Sequence, residues 1–73
     1  GWVISYLKPL ELGGKADLGN TIIMHYRTFE ERGMQYPRVV IDDNVYNIFY
    51  CEKDDYYYIE RELSDDDDEG VIL

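Results

Sequence analysis

Between Arg38 and Glu62 apolar residues recur at every second position through three short runs, RVVI, VYNIFYC and YYYIER, separated by acidic clusters suited to tight turns. The pattern predicts a three-stranded antiparallel meander. With Asp43 and Asn44 as a two-residue turn, Ile41 faces Tyr46 and Val39 faces Ile48; with Lys53 and Asp54 as the next, Ile48 faces Ile59 and Tyr50 faces Tyr57. The two registers are drawn from separate turns. Both nevertheless place Val39, Ile41, Tyr46, Ile48, Tyr50, Tyr57 and Ile59 on one side of one sheet, with Leu63 continuing inward and Arg61 at the rim of that row. The other side carries Arg38, Val40, Asn47, Phe49, Tyr58 and Glu60, a mixed and partly covered surface.

Upstream the pattern is less uniform. Trp2 to Leu7, WVISYL, is aromatic and β-branched and stops before Pro9, which predicts a strand. Lys8 to Asn20 holds three glycines and a proline with few large apolar groups, so it reads as a long connection. Its Gly13-Gly14-Lys15 lacks the spacing and the Ser/Thr of a phosphate loop. Thr21 to Gly33 fits two templates. As a helix it has Asn20 as cap, Gly33 as stop, and Ile22, Tyr26 and Phe29 on one face; as a strand it opens on the β-branched Thr21-Ile22-Ile23 and alternates thereafter. The strand reading is preferred because a fifth strand helps to close the sheet. Pro37 belongs at the start of a strand or on an edge.

Seventy-three residues make one domain with a thin stability margin, and 45% hydrophobic and 15% aromatic residues suffice to fold it. The expectation is therefore a mainly β chain, either a small antiparallel sheet or a five-stranded SH3-like barrel, over residues 1–63, followed by an acidic C-terminal tail, residues 64–73. If residues 21–32 form a helix, the class becomes α+β. The single cysteine, Cys51, permits no internal disulfide and suits a reducing compartment. No apolar run is long enough to span a bilayer, and no secretion signal precedes the first strand, so the expected location is cytoplasmic or otherwise intracellular. Gly1 with Ser5 fits an N-myristoylation pattern, but a chain boundary is the preferred explanation of the glycine, since a bulky Trp beside it and an acidic body disfavour membrane anchoring.

Charge changes this picture most. The net charge is −9, and its two halves differ: residues 1–41 hold four acids against five bases, whereas residues 42–73 hold twelve acids against Lys53 and Arg61. Such a half repels nucleic acid and anionic lipid, and its natural counterpart is a basic protein. Neither direct nucleic-acid binding nor membrane binding is expected. On an extended strand Glu60 and Glu62 lead into Asp65, Asp66, Asp67, Asp68 and Glu69, while Asp42, Asp43, Asp54 and Asp55 charge the two turns. The first set forms a ribbon of negative charge to which the turn acids add, a candidate surface imitating nucleic acid, with Tyr56 and Tyr58 as flat groups in place of bases.

Catalytic chemistry finds little support. His25 has no second histidine or nearby cysteine to share a metal, Cys51 lies beside acidic Glu52 in a poor setting for a nucleophile, and the carboxylates look solvated. The acids from Asp65 onward open like a calcium loop, but the bidentate acid due at the twelfth place is missing. No cofactor is expected. The sequence thus points to a non-catalytic interaction protein that blocks or regulates a basic nucleic-acid-binding protein. Two alternatives stand beside it: an SH3- or Tudor-like module reading basic peptides with Tyr46, Tyr50, Tyr56, Tyr57 and Tyr58, and self-association through sheet edges. Residues 71–73, Val-Ile-Leu, are apolar enough to pack on the domain or on a partner.

Overall fold

The computed structural model describes residues 1–63; the acidic run from 65 to 69 and the apolar residues 71–73 lie outside the described residues. Over the described residues the chain is mainly β, with five strands divided between two antiparallel sheets. Strand β1 (Trp2–Tyr6) pairs with β2 (Thr21–His25), setting Trp2 against His25 and Ile4 against Ile23. Strands β3 (Arg38–Ile41), β4 (Asn44–Cys51) and β5 (Tyr56–Arg61) form the meander in the order of the sequence. The described strands do not close into one barrel.

The segment with two templates uses both. Its β-branched beginning forms β2, and at Tyr26 the chain turns into the helix α1 (Tyr26–Arg32). The switch has a local cause: His25 keeps an extended backbone and its Nδ1 accepts the N–H of Arg27 at 3.2 Å, so the imidazole caps the helix. Gly33 ends it at φ 56°. Seven residues are too few for a helix to persist on intrinsic propensity. Arg32 therefore matters: only 4% exposed, it donates to the carbonyls of Tyr6 at 2.7 Å, Gln35 at 3.1 Å and Leu7, tying the helix end to the end of β1.

Asn20, a cap candidate in sequence, is instead a fully buried clamp. Its Oδ1 accepts from Lys8 N at 2.8 Å, and its Nδ2 donates to the carbonyls of Lys8 at 2.9 Å and Lys15 at 2.8 Å. The long connection, which includes single-turn 3-10 helices at Leu10–Leu12 and Leu18–Asn20, is folded back on itself by this one side chain. Gly14 is required there, since a Cβ would stand 1.9 Å from the carbonyl oxygen of Lys8.

The core is small. Leu7, Val39 and Ile48 are buried, and Ile22, Tyr36, Ile41, Tyr46, Tyr57 and Ile59 pack around them. The expected inner row is therefore present except for Tyr50, which is 45% exposed, while Leu63 just beyond β5 is 57% exposed. The first turn also differs. Asp42 and Asp43, not Asp43 and Asn44, form it, so Val39 faces Tyr46 and Ile41 faces Asn44. Both aspartates adopt positive φ, 52° and 65°, as a hairpin turn matched to strand twist requires; Glu31 of α1 accepts the N–H of Asp42, and Asn44 Nδ2 donates to Asp42 O at 3.1 Å. The slip is two residues, which preserves the side each residue faces. In the second hairpin Ile48 does face Ile59 and Tyr50 faces Tyr57, but the ladder ends at Cys51 and Tyr56, leaving a four-residue turn. On the outer edge of β3, Gln35 occupies the place of a neighbouring strand: Val40 N donates to its Oε1 at 2.9 Å and its Nε2 donates to Val40 O at 3.1 Å.

Candidate interaction site

The outer face of the meander is built by the register of β4 and β5. Phe49 stands opposite Tyr58 and Cys51 opposite Tyr56, so residues of one side chain parity line up across the two strands. Phe49 and Tyr58 stack with ring centroids 5.3 Å apart, and Tyr58 and Tyr56 follow at 5.8 Å. Each of the three rings is about 40% exposed. The row thus keeps part of its surface in water, whereas Ile48, next to Phe49 in β4, is buried on the opposite face.

Carboxylates lie at both ends of this row. Asp54 and Asp55 belong to the turn before β5; Asp55 has φ 54° and accepts from Tyr50 Oη at 2.7 Å, and Asp54 lies 3.9 Å from Cys51 Sγ. That bond to the carboxylate is the main reason the Tyr50 phenol is pushed up to about 12. At the other end stand Asp42 and Asp43 in their turn, Glu60 opposite Asn47, and Glu62, whose N–H donates to Val45 O at 2.7 Å. Glu62 is engaged with its own chain: Oε2 accepts from Asn47 Nδ2 at 2.8 Å and lies 3.7 Å from Arg38 Nε. Arg61 shares this end, donating to Asn44 Oδ1 at 3.2 Å from the rim of the inner row.

The described acids are therefore divided between the two ends of the meander. The eight residues of β4 hold its two turns roughly 24 Å apart at 3.3–3.4 Å per residue, more than twice the ~8–10 Å screening length of physiological salt. Among the described residues the turn acids lie at two poles with the aromatic row between them, and the expected ribbon begins with Glu60 and Glu62 at one of these poles. Of the five tyrosines considered for a cation cage, Tyr46 and Tyr57 pack against the core, Tyr50 is held by Asp55, and only Tyr56 and Tyr58 lie in the exposed row. Phe49, which completes that row, was not expected as a site residue. Its pairing with Tyr58 follows from the sequence register and was the available signal. Residues 65–69 lie outside the described residues.

Among the described residues no three His, Cys, Asp or Glu side chains converge as metal ligands, and no helix is long and apolar enough to cross a membrane. No protein-family model, curated protein or solved structure matches the chain.

Proposed function

We propose that this chain is a non-catalytic interaction protein that engages a basic protein through the outer face of its meander. The observation supporting this is the half-exposed row Phe49, Tyr58 and Tyr56, with carboxylates at each end. Aromatic faces attract guanidinium and ammonium groups through their quadrupoles, and flanking carboxylates add charge that steers association. A cationic nucleic-acid-binding surface offers both kinds of contact, so the protein blocks or regulates such a surface, its rings taking the place of stacked bases. The test is competition at low salt. The protein displaces nucleic acid from a basic binding protein, the displacement weakens as salt rises, and Tyr58→Ala with Phe49→Ala abolishes it; undiminished competition by that double variant refutes the reading.

The same row favours a second reading, recognition of short basic peptides in the manner of an SH3 or Tudor module. Titration with an arginine-containing peptide separates the two. Saturable shifts of the Tyr56 and Tyr58 ring protons by the peptide alone favour the module, whereas shifts seen only with an intact basic domain favour mimicry.

A further inference from the structure

The second sheet presents a different surface. Leu7 N donates to Asn20 O at 2.9 Å and Tyr26 N to Gly1 O at 2.8 Å, one beyond each end of the β1–β2 ladder. Because bonding alternates along an antiparallel pair, Val3 and Ser5 are the residues of β1 bonded to β2, and Trp2, Ile4 and Tyr6 direct their backbone groups outward. The Tyr6 carbonyl is taken by Arg32. The outward groups of Ile4 have no partner among the described residues' bonds, and they border a groove of about 250 Å³ between β1, α1 and the first 3-10 turn. Leu10, Phe29 and Met34 line it with Ile4, all four more than 40% exposed.

Arg32 also lines the groove. Its guanidinium is buried against backbone carbonyls, and no carboxylate pairs with it among the described residues, so burial alone lowers its pKa. A desolvated cation facing an apolar groove favours an anion there. We infer that the open edge of β1 takes an extended peptide strand carrying aliphatic side chains and a carboxylate, the backbone pairing with Ile4 and the carboxylate lying towards Arg32. A second copy adding its own β1 fits less well, because that strand, WVISY, brings no acid to Arg32. This site is separate from the outer face of the meander and has the opposite preference for charge.

The probe is the symmetric peptide acetyl-Asp-Val-Ile-Val-Asp-amide, which presents an acid in either strand direction, followed by amide hydrogen exchange and NMR on the full chain. In the free protein the Ile4 amide exchanges fast while those of Val3 and Ser5 are protected. Peptide slows exchange at Ile4 and saturably shifts resonances of Phe29 and Met34. A version N-methylated at its isoleucine, and one with both aspartates changed to asparagine, each bind about tenfold more weakly, the effect of losing one good or charge-assisted hydrogen bond. Ile4→Pro removes the outward N–H without taking a bond from β2 and abolishes binding, and Glu11→Gln, which removes the one acid among the groove's described lining residues, strengthens it. The N-methylated peptide tests the same contact on the unaltered protein if Ile4→Pro disturbs the strand. Several results overturn the proposal: no saturable shift, equal binding of the asparagine peptide, an Ile4 amide already protected in the free monomer by the chain itself, or protection that appears with protein concentration and marks a second copy.

Discussion

At the scale of single residues, two side chains carry unusual weight. Asn20 is fully buried and makes three hydrogen bonds to the backbone of the long connection. Removing them strands buried donors and acceptors, so Asn20→Ala lowers stability by about 3 kcal/mol, measured as a shift in the urea midpoint. Tyr50 carries a spectroscopic signature instead. Its phenol ionises at about 12 rather than 10.0, mainly because it donates to Asp55. The neutral form is the one the fold favours, so this contribution is complete below pH 10 and disappears as pH rises through 12. Absorbance titration near 295 nm shows a late-ionising tyrosine that Asp55→Asn returns towards the ordinary range. Tyr26, bonded to Glu30, and Tyr36, raised chiefly by burial, also ionise late and are unaffected by that change.

At the scale of elements, the turn at Asp42 and Asp43 places two non-glycine residues at positive φ. Glycine adopts that region without steric penalty, so Asp43→Gly stabilises the hairpin by about 0.5–1 kcal/mol in a thermal melt. Truncating the strand that the turn feeds has the opposite effect. Ile48→Ala costs about 3 kcal/mol, a large share of the roughly 5 kcal/mol available to a domain of this size. Strand parity made the meander legible in sequence: the alternation of Val39, Ile41, Tyr46 and Ile48 survives a register slip of two. Turn position was less legible because Asp42, Asp43 and Asn44 all tolerate the required backbone, and Glu31, eleven residues away, favours one choice through a contact no local rule contains. The split of residues 21–32 into strand and helix follows from His25 acting as a cap. Histidine is not a usual signal for that role. In the candidate site, Tyr56, Tyr58 and Glu60 shared a face as the period of two requires, whereas the separation of the acids into two poles followed from the length of β4. The groove beside β1 was hidden, since Ile4, Leu10, Phe29 and Arg32 meet only through tertiary packing.

At the scale of the whole molecule, a net charge of −9 on 73 residues works against compaction. Screening relieves that repulsion. Raising sodium chloride from 10 to 300 mM therefore raises the melting temperature by about 4 °C, equivalent to somewhat under 1 kcal/mol for a domain of this length. The same salt weakens the proposed binding to a basic partner, so on that proposal stability and affinity move in opposite directions along one titration.

A last consequence belongs to Gln35. Its amide donates to and accepts from Val40 as a strand residue does, so it acts as a stopper on a surface otherwise open to endless addition. Gln35→Ala uncorks β3 while leaving Val39 and Ile48 in place. Solutions of that variant gain light scattering and thioflavin fluorescence on standing while the parent stays clear, and a variant that stays equally clear shows that the charged surroundings, rather than this one amide, keep the molecules apart.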